Sequence, residues 1–166
     1  MRILLGIVFM FGAALLQITL VTRITLLQGV ADLVLLTLIA WMMQPGTKPD
    51  WRWGIPAGLM MGYASALPDW VLWAGYLGAA FLCQLLRRRI WQGQLLSLLS
   101  ITLLGTLTIH LVTLVYLFMS AHPMDALEAL NLITVPSMFL NLIFILPIYA
   151  IITELNRFIN PTDQAA

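Results

Sequence analysis

Charged residues, cysteine and histidine are all scarce in this chain of 166 residues. Only 9% of the residues are charged and the formal net charge is +1, so the sequence offers no basic surface for nucleic acid. The single cysteine, Cys83, excludes a disulfide within the chain. Two histidines, that cysteine and widely separated carboxylates give no metal-ligand spacing, and no phosphate-binding glycine loop occurs. The sequence therefore predicts no metal and no cofactor.

Hydrophobic residues, in contrast, make up 61% of the chain, and the mean hydropathy is +0.97. A water-soluble core of this size has no room for so much apolar surface, whereas a bilayer accepts it. The apolar runs at 4–16 and 132–152 are continuous and lack the alternation of transmembrane β-strands. The sequence therefore predicts an all-α integral membrane protein.

Six apolar segments predict six transmembrane helices in a single domain of residues 1–166. We expect them at about 3–21, 30–43, 54–67, 70–86, 95–120 and 134–153. The third segment is well short of the roughly 20 residues that cross a bilayer, so we expect a short helix buried among the others. Pro147 predicts a kink around 143–146 in the sixth helix.

A short surface helix is predicted at about 122–131, between the fifth and sixth spans. Met124, Leu127 and Leu130 recur at helical spacing, while Asp125 and Glu128 face the other way. This pattern is typical of a helix that lies on the membrane surface.

Basic residues predict the orientation of the chain, because Lys and Arg concentrate in cytoplasmic loops. With a cytoplasmic N-terminus, six spans leave only Arg23 outside. The basic residues on the cytoplasmic side are then Arg2, Lys48, Arg52, Arg87, Arg88, Arg89 and Arg157. Five spans, without the short third helix, would separate Lys48 and Arg52 from the arginine triplet. We therefore predict six spans and two cytoplasmic termini, with Asp32, Asp69, Asp125 and Glu128 forming a solvated outer rim.

Small residues recur every four positions in the short third helix, at Gly54, Gly58, Gly62 and Ala66. Such spacing lets another backbone approach one helix face closely. We predict that this face packs against the fourth helix, which offers small residues at the same spacing: Ala74 with Gly78, and Gly75 with Ala79. The alternative is that the face receives the transmembrane helix of a partner.

Polar residues inside the spans are the remaining candidates for function. His110 is a candidate proton relay or ligand by virtue of its depth, but Thr106 and Thr113 lie one turn on either side. These threonines favour a neutral histidine that is hydrogen-bonded within the bundle. We predict interhelical hydrogen bonds for Asn141 and Gln17, and for Glu154 a cap or a surface pair with Arg157.

An intramembrane hydrolase is a further alternative, with Ser65 as nucleophile and His110 as its base. The chain offers no second base or orienting acid at membrane depth, and a serine among small residues is usually a packing residue. We therefore predict that the protein is not an enzyme.

Five segments in a fixed order carry a resemblance to a known family. They are LLQITL (15–20), ADLVLLTLIAW (31–41), GIPAGLMMG (54–62), YLGAAFLCQLLRRR (76–89) and NLITVPSMFLNLIFILP (131–147). Together they span nearly the whole chain, and their order resembles the rod shape-determining membrane protein MreD family. The segments are mostly aliphatic, and none is a catalytic signature.

The resemblance implies a non-enzymatic scaffold of the bacterial cell-elongation (rod) complex in the inner membrane, acting in cell shape and peptidoglycan synthesis. The partners it implies are the bitopic protein MreC, the actin-like MreB filament, the elongation glycosyltransferase and transpeptidase, and membrane lipid. It also implies a fold similar to the substrate-binding subunit of energy-coupling-factor vitamin transporters. Such a subunit is the alternative function, and it requires polar and aromatic side chains around an outer pocket.

Overall fold

The computed structural model describes residues 2–19, 25–89, 93–120 and 126–159. The chain begins with helix α1 (Arg2–Thr19), a hairpin of strands β1 (Thr25–Leu26) and β2 (Gly29–Val30), and helix α2 (Leu33–Met42). A 3-10 turn (Trp51–Trp53) then leads into α3 (Gly54–Ala64), α4 (Asp69–Arg89) and α5 (Gln94–Met119). The last described stretch contains α6 (Ala126–Ala129), a π-helical segment (Leu130–Thr134) and α7 (Val135–Ile159).

Each of the six predicted spans has a helical counterpart. Among the described residues, three helices are long and apolar enough to cross a membrane: Asp69–Arg87, Gln94–Met119 and Leu127–Ile159. Ile3–Thr19 and Leu33–Met42 are apolar but shorter. The prediction of a helical membrane protein is confirmed at this level.

Helix α2 lies at the centre of the core. Every residue from Val34 to Met42 is buried, and the helix contacts α1, α3, α4, α5 and α7. A helix that is apolar on all sides is expected at such a central position. Its ten residues extend about 15 Å, roughly half the thickness of a hydrocarbon core.

A two-stranded antiparallel hairpin precedes α2, which therefore begins three residues later than predicted. Thr25 pairs with Val30 and Leu26 with Gly29. A Cβ atom at Gly29 would lie 2.6 Å from the backbone nitrogen of Ser137 and 2.7 Å from Cβ of Pro136. Because only glycine fits so close to another backbone, the hairpin can rest directly against the last helix.

The predicted separate surface helix differs from the structure. Its residues 122–125 lie outside the described part of the chain, and from Ala126 onward the helix continues through the π-helical segment into α7. Pro136 has no N–H to bond the carbonyl oxygen of Leu132, and the helix widens there instead of ending. The Leu132 oxygen accepts a hydrogen bond from the Gln28 backbone N–H in the hairpin turn, at 3.1 Å.

The glycines of α3 pack against α4, as predicted for the first three positions of the ladder. A Cβ atom at Gly54 would lie 2.7 Å from the carbonyl oxygen of Tyr76, and one at Gly58 would lie 3.0 Å from Cα of Trp73. One at Gly62 would lie 3.3 Å from Oδ1 of Asp69. The two backbones therefore approach closely at Gly54 and Gly58, whereas Gly62 lies against the Asp69 side chain.

Ala66 is not part of this ladder, and here the prediction is wrong. Helix α3 ends at Ala64, and Ser65 is extended at φ −109° and ψ 153°. The Ser65 hydroxyl accepts a hydrogen bond from the Leu67 backbone N–H at 3.2 Å. This local turn, followed by Pro68, stops the helix before Ala66.

The prediction that Gly75 and Gly78 meet α3 is also wrong. A Cβ atom at Gly78 would lie 3.0 Å from the Thr108 side chain, and one at Gly75 would lie 3.3 Å from the Ile109 side chain, both on α5. Ala74 is exposed. Helix α4 contacts both α3 and α5. Its own glycines face α5, whereas the close contact between α4 and α3 depends on the glycines of α3.

Candidate functional site

Polar side chains from four helices meet at the beginning of α2. They are Gln17 on α1, Asp32 directly before α2, Tyr76 on α4, Thr106 on α5, and Ser137 and Asn141 on α7. We refer to these six residues as the α2 N-terminal cluster. It is the largest polar assembly in the described part of the chain and the candidate functional site.

Asp32 is the N-cap of α2. Its Oδ1 accepts a hydrogen bond from the Leu35 backbone N–H at 2.9 Å, and its Oδ2 accepts one from the Tyr76 hydroxyl at 2.6 Å. A carboxylate at this position bonds a free backbone N–H and lies at the positive end of the helix dipole. The Tyr76 side chain is itself fully buried, so Asp32 also provides the partner that its hydroxyl requires.

Two amide side chains complete the bonding around Asp32. Gln17 donates from Nε2 to the Ala31 carbonyl oxygen and accepts from the Leu33 backbone N–H with Oε1, both at 2.8 Å. Asn141 accepts from the Asp32 backbone N–H at 2.8 Å and donates to Oγ1 of Thr106 at 2.9 Å. The hydrogen bonds between elements that were expected of Gln17 and Asn141 are therefore present.

Ser137 connects the hairpin to the same cluster. Its hydroxyl accepts a hydrogen bond from the Val30 backbone N–H at 3.1 Å. Backbone N–H groups of Val30, Asp32 and Leu33 are thus each bonded by a side chain from another helix. The bonds to Asp32 and Leu33 satisfy donors that the start of a helix leaves free, whereas the bond to Val30 joins strand β2 to α7.

The cluster lies halfway along two of the longest helices. Thr106 is the thirteenth of the 26 residues of α5, and Asn141 is the fifteenth of the 33 residues in Leu127–Ile159. Both side chains are about 1% exposed. At such a depth water is not a bonding partner, so the polar groups must satisfy one another.

The opposite end of α2 is held by Arg87. Its guanidinium donates to the carbonyl oxygens of Met42, of Gln44 at 3.0 Å and of Thr47 at 2.8 Å. A cation suits the negative end of a helix dipole and can bond its free carbonyl groups. Arg87 was predicted only as a marker of orientation. The side chains of Arg88 and Arg89 lie outside the described residues.

His110 lies apart from this cluster. Its Nδ1 is 3.4 Å from the Thr134 hydroxyl, whereas its expected neighbour Thr106 is bonded to Asn141. The imidazole borders a cavity of about 80 Å³ that is otherwise lined mainly by leucines. The Ser65 hydroxyl accepts from the Leu67 backbone N–H, and the described residues show no hydrogen bond between Ser65 and His110.

The prediction that Asp32 belongs to a solvated rim is wrong, because its carboxylate caps α2. Asp69 and Glu128 are exposed as expected, and Asp125 lies outside the described residues. The exposed pair of Glu154 and Arg157 is present at 3.2 Å. Sequence reasoning missed the cap at Asp32, although an aspartate directly before an apolar run is a recognisable helix-start signal.

The chemistry of the α2 N-terminal cluster favours a structural role. Its carboxylate, hydroxyl and amide groups are bonded to one another and to the backbone at the start of α2. Within the described ranges, no group of three or more histidine, cysteine or acidic residues is placed to hold a metal ion. The arrangement fixes where α2 begins between the surrounding helices.

Comparisons with models of known protein families, with curated proteins and with solved structures find no match to this chain.

Proposed function

We propose that this protein is a non-enzymatic membrane scaffold of the bacterial cell-elongation complex, similar to the MreD family. In this proposal the chain crosses the inner membrane six times with both termini in the cytoplasm. The hairpin and α2 together make the second crossing. The fold would then be similar to the substrate-binding subunit of energy-coupling-factor transporters.

The observation that carries this proposal is the position of the five segments on which the resemblance rests. LLQITL supplies Gln17, ADLVLLTLIAW supplies Asp32, and the segment beginning at Tyr76 supplies the tyrosine. The segment 131–147 supplies Ser137 and Asn141. The fifth, 54–62, packs on the backbone of Tyr76. Four of the five segments therefore share one hydrogen-bonded centre, and the fifth packs beside it, which supports the proposal.

A scaffold needs a rigid interior and a free outer surface. The polar groups of the α2 N-terminal cluster bond one another and the backbone at the start of α2, whereas α1 exposes large apolar side chains such as Leu4, Val8 and Phe11. Helix association within a bilayer depends on packing contacts and hydrogen bonds between helices. The proposed partner is accordingly a single-span protein of the MreC type, whose transmembrane helix packs on the apolar exterior.

Complementation tests this function directly. The chain is expressed in a rod-shaped bacterium from which its own MreD-type protein has been depleted, and cell shape is scored by microscopy. We expect rods to persist with the native chain. Asn141→Leu, which disrupts the central cluster, should give round cells in proportion to its loss of folded protein. Round cells with abundant, well-folded native chain would contradict the proposal.

Copurification supplies a second readout. In mild detergent we expect an MreC-type partner to be recovered with the native chain, and its consistent absence counts against the scaffold. Mass spectrometry of the same preparation distinguishes the alternative, because a bound vitamin would identify a transporter subunit.

A further inference from the structure

A second pocket lies beside the first turns of α1, away from the α2 N-terminal cluster. Its volume is about 280 Å³, and it is lined by Ile3, Ile7, Asp50, Arg52, Trp53 and Pro56. One wall is therefore apolar and comes from α1, whereas the other carries an acid and a base from the segment before α3.

The polar wall contains a loosely paired guanidinium. Nε of Arg52 is 4.0 Å from Oδ2 of Asp50, and the two side chains are 73% and 41% exposed. An ion pair this long and this exposed contributes little. Asp50 is better fixed, since its Oδ1 caps the 3-10 turn by accepting from the Arg52 backbone N–H at 3.0 Å. The pocket thus presents a positioned carboxylate beside a guanidinium that is free to bind another anion.

The ring of Trp53, which lies next to Arg52 in the 3-10 turn, also lines the pocket and is fixed against α1. The Trp53 ring packs edge-on against Trp41 with ring centroids 5.8 Å apart. It fits against α1 because Gly6 has no side chain, and a Cβ atom there would lie 2.6 Å from the ring. Tryptophan is enriched where a membrane meets water. Ile3, which is 68% exposed, extends the apolar wall outward.

We infer that this pocket binds the head group of a zwitterionic phospholipid that carries a primary ammonium. Arg52 would bond the phosphate, since a guanidinium matches phosphate oxygens in geometry and charge. Asp50 would bond the ammonium, and the glycerol region would lie on Ile3 and Ile7. A head group without an ammonium would place its phosphate beside the Asp50 carboxylate uncompensated. The inference requires only that α1 lies in a membrane and does not depend on the rod-complex proposal.

Native mass spectrometry of the purified full chain in detergent tests the inference. Phosphatidylethanolamine and phosphatidylglycerol with identical acyl chains are titrated separately, and the lipid-bound fractions are compared. We expect tighter binding of phosphatidylethanolamine. Arg52→Gln should weaken it by about two- to fivefold, as for a partly exposed charge contact. Lys48→Gln, in the same loop but outside the pocket lining, is the matched control and should bind like the native chain.

Two further variants separate the two halves of the pocket. Asp50→Asn keeps a good capping residue and should abolish the preference for phosphatidylethanolamine over phosphatidylglycerol. Ile7→Trp should lower the binding of both lipids by filling the apolar side. Equal binding of the two lipids to the native chain, or equal losses for Arg52→Gln and Lys48→Gln, would overturn the inference. Displacement of the lipid by millimolar inorganic phosphate would also overturn it, because the site would then recognise free phosphate.

Discussion

Helices α2 and α3 are nearly equal in length, at 10 and 11 residues, but they are held in place in different ways. Polar contacts hold both ends of α2, through the α2 N-terminal cluster and through Arg87. Close backbone approach holds α3, whose glycines lie against α4. Both helices are short for a bilayer crossing, so their axial position depends on neighbours.

The two helices differ in what fixes their position along the helix axis. The side chains of α2 itself are mainly apolar, with no polar face. Apolar packing alone does not fix the position of a helix along its axis. Hydrogen bonds at the two termini do define it, because each holds its donor and acceptor at a short distance and in a set direction. In α3, Gly54 and Gly58 lie against the backbone of successive turns of α4, so close backbone approach sets the register of this pair.

Removing Arg87 should have the largest effect. Arg87→Ala removes the guanidinium from the carbonyl oxygens of Met42, Gln44 and Thr47, of which that of Gln44 keeps a backbone donor, the Thr47 N–H. We expect a loss of about 2–4 kcal/mol in the free energy of unfolding. Thermal or denaturant unfolding in detergent measures it. Arg157→Ala is the matched control, since Arg157 forms one exposed pair and should cost less than about 0.5 kcal/mol. Similar losses for both variants would show that Arg87 does not hold α2.

The second-largest loss of stability should come from adding a methyl group between α3 and α4. Gly54→Ala places a Cβ atom 2.7 Å from the Tyr76 carbonyl oxygen and 2.8 Å from Cα of Leu77. Because backbone must shift, we expect a loss of about 1–3 kcal/mol, measured by the same unfolding experiment. Gly12→Ala is the control, since no atom lies within 4 Å of its added Cβ. A loss that is equally large for Gly12→Ala would argue against register by close approach.

The individual hydrogen bonds at the start of α2 should contribute less. Asn141→Leu removes the acceptor of the Asp32 N–H and the donor to Thr106, for an expected loss of about 1–2 kcal/mol. Hydrogen exchange should accelerate at Asp32 and Leu33 more than elsewhere in α2. Asn131→Leu makes the same change at an exposed position and should leave exchange at α2 unchanged. Uniform acceleration over the whole helix would contradict a local anchor.

The contact of Thr134 with His110 should have the smallest effect. At 3.4 Å it is near the limit for a hydrogen bond, so Thr134→Val should change the free energy of unfolding by less than about 0.5 kcal/mol. Thr106→Val, which removes a partner of Asn141 at 2.9 Å, is the comparison and should cost more. A larger loss for Thr134→Val would show that the contact at His110 stabilises the bundle more than the α2 N-terminal cluster around Asp32 does.

Much of the helix pattern could be predicted from hydropathy, because a long apolar run is a local property of the chain. Segments such as 95–120 and 70–86 match α5 and α4 within a few residues. The predicted separate surface helix differs from the structure over its described residues 126–131, which continue through a π-helical segment into α7. Prediction also failed for Gly75 and Gly78, which face α5. Equal spacing of small residues on two helices does not show whether those two helices pack on each other or on a third.

The candidate site was predictable only in part. Gln17 and Asn141 stand out in the sequence because a polar side chain within an apolar span needs a hydrogen-bonding partner. Nothing in the sequence marked the backbone around Asp32 as the partner that these two side chains share. Tyr76 and Thr106 carry no local signal, since a tyrosine or threonine within an apolar helix is common. Arg87 is the first of three identical residues, and nothing in the sequence distinguishes it from Arg88 and Arg89.

By itself, the sequence determined that the chain is helical and membrane-embedded, because those properties follow from runs of apolar residues. The tertiary structure alone decided that α2 is the central helix and that its two ends carry the polar contacts. Such contacts join Gln17 to Leu33 and Asp32 to Asn141, the latter pair being 109 positions apart. Hydrogen bonds depend on distance and direction in space, and no periodicity along the chain encodes them.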